Sequence, residues 1–514
     1  MAMTSYQFDS IFGRNSVFGR FMSTSAIYII AASLGLLAGL ISAIGEPLYV
    51  AIFAGLVVGG MLAASKRALM WFVIVSGVVI TGAAQLYVPG ARYIRYVVPV
   101  AAVVLLIHAA VERIRQTNQA RQQQISWLGI WAIAFAAVAV FSSLVNWSGV
   151  GVAVTGLRGY FQMWPFLVAL LLIRWTPADV RSVPKGMFLI ALLQIPFALH
   201  QYFYLVPRRV GMGHGIVPVD IVAGTFGGDF LGGGANAVLA AFMMIAIACL
   251  AGLVKHKAMS IVTASFFAII FISPVMVNEA KISAIYLPLI FIVIFYKDIL
   301  VRPIRFLAAT IIMMGVLAGL LTALTLSQAS GRLQTWSDLI TFTIERQTAD
   351  AAERRGQFSE LSRLTALTFW FEENKSANPA NILLGHGPGA SRVQDSGIDI
   401  AKTLAEKHYG GVKIGHTAVA ALLWDVGIVG LGAVLGMFFA AFRAARWLAQ
   451  HYRESDRFKA GLFDGLAAGV AVLTLSLAHK DFLVVHLPFQ TLVLLIFGYI
   501  MISVRHARGP SEIA

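Results

Sequence analysis

Residues 236–254 read NAVLAAFMMIAIACLAGLV, an apolar stretch that contains no charged residue. A helix of this length would reach about 28 Å, close to the ~30 Å hydrocarbon core of a bilayer. Similar stretches recur along the 514 residues, which are 59% hydrophobic and 12% charged; an average soluble protein has roughly 45–50% and 25%. The sequence therefore predicts an all-α polytopic membrane protein, and it excludes a secreted enzyme, a nucleic-acid binder and a disordered scaffold.

The hydropathy pattern predicts about fourteen transmembrane helices, with twelve as the lower bound. They are expected near residues 26–44, 47–64, 69–88, 96–111, 126–145, 159–173, 187–206, 236–254, 259–277, 282–296, 306–327, 416–442, 461–479 and 484–503. This pattern divides the chain into a membrane domain of about eleven helices (1–327), an outer segment (328–415) and about three C-terminal helices (416–514).

The distribution of Lys and Arg predicts the orientation. With the N-terminus inside, 22 of the 39 basic residues fall in inner segments, ten fall in the long segment 328–415, and seven fall in short outer connections. Those seven are Arg92, Arg95, Arg158, Arg208, Arg209, Lys281 and Lys480. Because basic residues collect at cytoplasmic membrane edges, both termini are predicted to be cytoplasmic, and the net charge of +15 needs no polyanionic partner.

Two outer segments are longer than simple connections require. Residues 207–236 are rich in glycine, which suits either a floppy loop or a close approach to backbone or ligand. Residues 328–415 contain Leu361, Leu364, Leu367 and Phe371 at helical spacing. This spacing predicts an amphipathic helix that lies on the outer membrane surface or caps a cavity.

Several common catalytic patterns are absent from the sequence. It has no GxxxxGK[ST], HExxH or CxxC pattern and no DxD-type acidic cluster. We therefore expect chemistry on the outer face without ATP, without a cofactor and without a tightly held metal.

Basic residues at the predicted outer boundary are the candidates for binding a phosphate. Each also has a structural explanation: Lys281 and Arg158 could be snorkelling anchors, and Arg363 could lie on a solvated helix face. Arg208 and Arg209 are adjacent and flank the glycine-rich segment, which favours an anion site and a simple connection about equally. The substrate-binding candidates are Lys281, Arg158, Arg332, Arg208, Arg209 and Arg363.

The segment 383–431 carries the remaining candidates. Gly385, Gly387 and Gly389 predict an open turn whose N–H groups could cradle an anion, with His386 beside it. His416 stands at the start of the next long helix, where the positive end of the helix dipole disfavours imidazolium. Neutral imidazole is the form that a general base requires, so His416 is the catalytic candidate, with an interface residue as the alternative.

Four elements, in this order, resemble the O-antigen ligase and O-antigen polymerase superfamily (the WaaL and Wzy proteins). The first is AGTF at 223–226, followed by Asn236-Ala237 at the start of a helix. The second is Glu279-Ala280-Lys281, followed by Pro288. Many members of the superfamily carry an arginine at the position of Lys281, and a lysine resembles a subgroup of exopolysaccharide polymerases.

The third element is Gly331-Arg332 with Trp336. The fourth is GHGPG at 385–389, then His416 and DVGIVGL at 425–431. A His-Asn pair is usual in the superfamily where this chain has His416-Thr417. The resemblance covers about residues 125–500, and it is most specific in the outer segments.

The resemblance implies a GT-C-like glycosyltransferase of the bacterial inner membrane with a periplasmic active site. The donor would be a glycan on undecaprenyl pyrophosphate. The acceptor would be another lipid-linked glycan for a polymerase, or lipid A-core for a ligase, and a chain-length regulator protein would be a further partner. In this interpretation His416 is the base or positions the acceptor, and the basic candidates, with His386 as an additional contact, bind pyrophosphate and glycan.

The residues leave three functions open. The lysine-bearing element and the long outer segment favour a polymerase over a ligase. A non-enzymatic transporter is the third alternative. It is disfavoured because the unusual cations collect at one face, whereas transport sites usually lie near the bilayer midplane.

Overall fold

A computed structural model describes most of the chain after residue 64. The described residues are 65–88, 91–114, 126–210, 212, 218–228, 230, 235–278, 280–301, 361–375, 378–393 and 402–508, with single helical positions at 304, 311, 315 and 319. The chain forms two compact units, Met1–Phe72 and Val73–Ala514. All contacts given below lie within the second unit.

The regular elements in these ranges are all helical, and they include short 3-10 and π segments and a one-turn helix at Val206–Arg209. The other α-helices are labelled below. In chain order they are α1 (Lys66–Tyr87), α2 (Val97–Ile114), α3 (Trp127–Val145), α4 (Val150–Phe161), α5 (Trp164–Leu172), α6 (Pro177–His200), α7 (Asn236–Lys255), α8 (Ile261–Val277), α9 (Ser283–Val301), α10 (Arg363–Asn374), α11 (Pro379–Leu384), α12 (Leu404–His408), α13 (Ala418–His451), α14 (Arg457–Ser476), α15 (Phe482–Val485) and α16 (Leu487–Arg508).

Nine of the described helices are long and apolar enough to cross a membrane, and α8 is a shorter apolar helix. The prediction of a polytopic all-α membrane protein is confirmed at this level. The spans predicted at 26–44 and 47–64 lie outside the described residues, as does nearly all of 306–327.

The prediction of one continuous helix at 159–173 is wrong. The structure has α4 and α5 instead, separated at Gln162 and Met163. Pro165 occupies the first turn of α5. Because proline has no N–H and its ring clashes with the preceding turn, it cannot continue α4 but is well suited to begin a helix.

Small residues allow α7 and α14 to approach closely. Gly461, Gly465 and Gly469 recur every four residues, and so lie on one face of α14. A Cβ atom on Gly465 would lie 2.3 Å from Cys249 Cα, and one on Gly252 of α7 would lie 2.1 Å from Gly461 O. This is the small-residue packing that lets transmembrane helices gain dispersion energy where no hydrophobic effect drives them together.

The bundle has two ends that differ in chemistry. We call one the Asp464 end: Lys255, at the end of α7, contacts Asp464, near the start of α14. We call the other the His416 end, where α7, α9 and α13 begin and α14 finishes. Segments that the charge distribution predicts to share a side therefore meet at the same end of the helices.

The amphipathic helix predicted in the outer segment is present as α10, but its buried face differs from the predicted one. Thr365, Ala366, Phe369 and Trp370 are buried, and they pack into an aromatic cluster with Trp424. Leu364 and Phe371 are 50% and 62% exposed. Leu361 is buried in the same cluster and Leu367 packs against it. Tertiary packing therefore divides the predicted set, burying or covering two members and leaving two exposed.

Candidate functional site at the His416 end

A buried carboxylate holds the glycine-rich turn at 385–389. Asp425 is fully buried. Its Oδ2 accepts hydrogen bonds from the Gly389 N–H and the Tyr160 hydroxyl, both at 2.9 Å, and its Oδ1 accepts one from the Ser391 N–H at 2.8 Å. The turn does cradle an anion, as its glycines suggest. That anion is the protein's own Asp425, which corrects the expectation of an external ligand there.

A break in α13 makes this arrangement possible. Gly427 has φ 68° and ψ −169° inside the helix, and a Cβ atom there would lie 2.3 Å from Leu383 O. The break diverts nearby carbonyls from the helical pattern, so that His386 N donates to Trp424 O at 2.7 Å and Gly387 N donates to Asp425 O at 3.0 Å. Only glycine fits this position, because other residues are strained at such φ and ψ values.

His416 lies half-buried immediately before α13. Thr417 caps that helix, its side chain accepting the Ala420 N–H at 3.1 Å. Just before His416, the Gly415 N–H donates to Ser391 O at 3.3 Å. The histidine is therefore held between a capped helix and the turn that Asp425 organises.

The same segment is fastened to the turn that follows α14. Ala418 N donates to Lys480 O at 3.2 Å, and Lys413 Nζ lies 2.9 Å from Asp481 Oδ2. Leu361, just before α10, donates its N–H to Lys413 O at 3.4 Å. Three parts of the chain that are distant in sequence thus meet around His416.

Arg363 and His479 form the closest contact across this junction. Arg363 Nε donates to His479 O at 2.7 Å, and Arg363 Nη2 lies 3.4 Å from His479 Nε2. The pKa of His479 is lowered to about 3, mainly by burial and in smaller part by the nearby Arg363, Lys480 and His416. The backbone bond from Ala418 to Lys480 O places the segment that carries His416 against the turn that carries His479.

A tyrosine extends this cluster to α9. Tyr286 is fully buried, and its hydroxyl lies 2.7 Å from Ser476 Oγ at the end of α14. Ser476 Oγ donates to Val472 O, so the tyrosine donates to the serine. Arg363 lies close enough to Tyr286 to act on it electrostatically.

Lys281 lies in the turn that begins α9, five residues before Tyr286. The turn is held by Asn278, whose Oδ1 accepts the Ala280 N–H at 3.0 Å and whose Nδ2 donates to Asn236 O at 3.0 Å. Asn236 Nδ2 donates in return to Asn278 O at 3.3 Å. This reciprocal pair brings together two of the elements that carry the family resemblance.

The AGTF element at 223–226 is a buried turn that two glutamines of the α6 segment hold in place. Gln201 Oε1 accepts the N–H groups of Ala223 and Gly224 at 3.0 and 2.8 Å, and Gln194 Oε1 accepts the Thr225 N–H at 2.8 Å. Gln201 lies in a π turn, Gln201–Leu205, that continues α6. This part of the glycine-rich segment is therefore ordered rather than floppy.

Three other arginine candidates have local partners of their own. Arg158 is exposed and lies over the Tyr96 ring, 4.5 Å from its centroid, and Arg208 lies 3.8 Å from the Tyr204 centroid. Such contacts are typical of interfacial anchors. Arg209 is 1% exposed and donates to Pro218 O at 3.3 Å. Substrate binding by these three residues stays a prediction.

His386 is packed against Trp424, with ring centroids 5.6 Å apart. Burial lowers the pKa of His386, and the charge of His408 lowers it further. Arg332 lies outside the described residues, so its role also stays a prediction.

Sequence reasoning did not identify His479 or Asp425 as part of this site. The signal for His479 was the AHKD sequence at 478–481, which places a histidine, a lysine and an aspartate in one short outer connection. The signal for Asp425 was its position as a lone acid within an apolar helix.

Within the described ranges, no group of three or more His, Cys, Asp or Glu side chains is arranged to hold a metal ion. A comparison with protein-family models and with curated protein sequences finds no match for this chain.

Proposed function

We propose that the protein is an inner-membrane glycosyltransferase that polymerises undecaprenyl-pyrophosphate-linked oligosaccharide repeats at the His416 end, which faces the periplasm. The observation that carries the proposal is that Arg363 and the segment that carries His416 both contact the turn around His479. It pairs a candidate base with a candidate phosphate-binding cation across a junction of three chain segments.

The electrostatics of this end suit an anionic donor. Arg363 is the first residue of α10, His416 precedes α13, and Lys281 precedes α9. Each helix N-terminus adds a positive partial charge to these side chains. Together they favour a phosphate group, whose oxygens accept hydrogen bonds from backbone N–H groups and cations alike.

In the proposed reaction the acceptor hydroxyl attacks C1 of the donor sugar. The new C1–O bond forms as the bond from C1 to the pyrophosphate oxygen breaks, and His416 accepts the hydroxyl proton. Lipid pyrophosphate leaves with the bonding electron pair. Arg363 and Lys281 stabilise its developing charge, as preorganised cations do in a partly dehydrated site.

The polymerase is distinguished from the ligase by its acceptor. The test reconstitutes the purified full chain in vesicles with a defined undecaprenyl-pyrophosphate-linked repeat, with and without lipid A-core. We expect lipid-linked oligomers to form without lipid A-core. Transfer only to lipid A-core would make the protein a ligase, and movement of unchanged donor across the vesicle membrane would favour the transporter.

A further inference from the structure

The placement of Arg363 at the start of α10 is electrostatically unfavourable. Its neighbour Ser362 caps the helix, accepting the Thr365 N–H at 3.3 Å. A guanidinium at the first helical position meets the positive end of the helix dipole, which favours anions there and disfavours cations. Its orientation must therefore be maintained by a specific contact.

His479 supplies that contact through two acceptors. Its carbonyl accepts from Nε, and its ring nitrogen Nε2 faces Nη2. These two donors lie on the same edge of the planar guanidinium, so both contacts together fix the plane of the group as well as its position.

The ring can accept a hydrogen bond from Arg363 at Nε2 only as neutral imidazole with its proton on Nδ1. A guanidinium can only donate, so Nε2 must accept. The pKa of His479, lowered to about 3 by burial and by Arg363, Lys480 and His416, keeps the ring neutral at neutral pH. Arg363 on α10 and Lys480 on the same turn both oppose a second proton.

We propose that His479 is a positioning residue that aims the Arg363 guanidinium at the donor pyrophosphate. This inference rests on the proposed function, in which Arg363 binds that group. His479 itself touches no reacting atom and takes up no proton.

The turn that carries His479 is suited to this task because four helices fix it. Ser476 at its start is bonded to Tyr286 of α9, and Lys480 O accepts the Ala418 N–H of α13. With α10 bonded through Arg363 and α14 leading into the turn, His479 has a defined place relative to all four helices.

The test compares His479→Gln with His479→Asn in the full-length protein. Gln places an amide oxygen near the position of Nε2 and can replace the acceptor, whereas the shorter Asn reaches only the position of Nδ1. The probe is inorganic pyrophosphate, and its affinity is measured by calorimetry at pH 7. We expect His479→Gln to bind about as well as wild type, and His479→Asn to bind about ten-fold more weakly, the lower end for a lost charge-assisted hydrogen bond.

Equal affinities for the Gln and Asn variants, whether both normal or both weakened, would overturn the proposal, because only the ring acceptor distinguishes them. A double variant adds a second criterion: once Arg363→Ala is present, adding His479→Asn should change affinity no further. A further loss would mean that His479 acts independently of Arg363.

Nitrogen NMR of the wild-type protein with labelled histidine needs no variant. It should show His479 neutral with its proton on Nδ1, and a proton on Nε2 at pH 7 would overturn the proposal. Pyrophosphate binding does not require glycosyl transfer. If the Gln and Asn variants differ in pyrophosphate affinity as expected but the protein shows no polymerase activity, only the proposed function is rejected.

Discussion

The two ends of the helix bundle differ in the partners that hold their charged side chains. At the Asp464 end, the Asp464 carboxylate is bonded to Arg446 and lies 2.8 Å from Lys255 Nζ and 3.2 Å from His256 Nε2. At the His416 end, Arg363 is bonded to the carbonyl and the neutral ring of His479. The first arrangement places one carboxylate among three basic side chains, whereas the second joins a cation to neutral acceptors of the facing turn.

This difference suggests a different role for each group of side chains. A buried carboxylate shared by α7, α13 and α14 fastens the helices together, and removing one member of such a group leaves the others uncompensated. The contact between Arg363 and His479 orients the guanidinium without adding negative charge, which suits the anionic ligand of the proposed function. We therefore expect substitutions at the Asp464 end to lower stability, and substitutions at the His416 end to lower the binding and turnover of the proposed function.

The largest expected effect tests the chemistry at the His416 end. His416→Ala should leave the protein folded and able to bind lipid-linked donor, because the proposed pyrophosphate contacts come from other residues. Turnover should fall by about two to four orders of magnitude, as expected for loss of a general base. Donor binding and single-turnover rate are measured on one preparation.

His451→Ala is the matched control, since His451 is an exposed histidine at the other end of the same helix. Normal turnover by His416→Ala would remove this residue from the mechanism. Lost donor binding with a normal fold would instead place it in the donor site.

The next effect tests the Asp464 end. Asp464→Asn should lower the free energy of unfolding by about 3–5 kcal/mol, the cost of leaving buried cations unpaired. Thermal unfolding in detergent, followed by tryptophan fluorescence, measures it. Lys459→Gln is the control because it breaks an exposed ion pair with Asp456, and such pairs contribute roughly 0–1 kcal/mol. Equal losses in the two variants would contradict the structural role of Asp464.

The smallest effect concerns Lys281. Lys281→Met should weaken donor binding by about 1.5–3 kcal/mol, the contribution of a charge-assisted hydrogen bond. Lys281→Arg should retain part of the affinity because the charge persists. Lys297→Met is the control, since Lys297 is exposed near the far end of α9. Normal binding by Lys281→Met would identify Lys281 as a membrane anchor.

Much of the fold could be predicted because membrane helices carry their signal locally. The apolar stretch at 236–254 corresponds closely to α7 (Asn236–Lys255). The prediction of one helix at 159–173 was wrong because Pro165 starts a new helix within a stretch that is continuously apolar. The close pairing of α7 with α14 was not predicted either, although Gly461, Gly465 and Gly469 lie on one face of α14.

The candidate site was only partly predictable. His416 stood out because it precedes a long helix, and Arg363 because it lies on an amphipathic one. That Arg363 and the segment that carries His416 both contact the turn around His479 could not be inferred, since more than 50 residues separate each of them from it in the sequence. The glycine turn at 385–389 was recognised as an anion cradle, but its occupant, Asp425, lies on a different element.

The sequence by itself determined the membrane class of the protein, the position of most helices and the grouping of basic residues on two sides. These depend on hydrophobic length and charge, which are sums over neighbouring residues. Only the tertiary structure decided which partners the charged side chains meet. That choice depends on contacts between distant segments, as between Lys255 and Asp464 or between Arg363 and His479, and no local pattern records them.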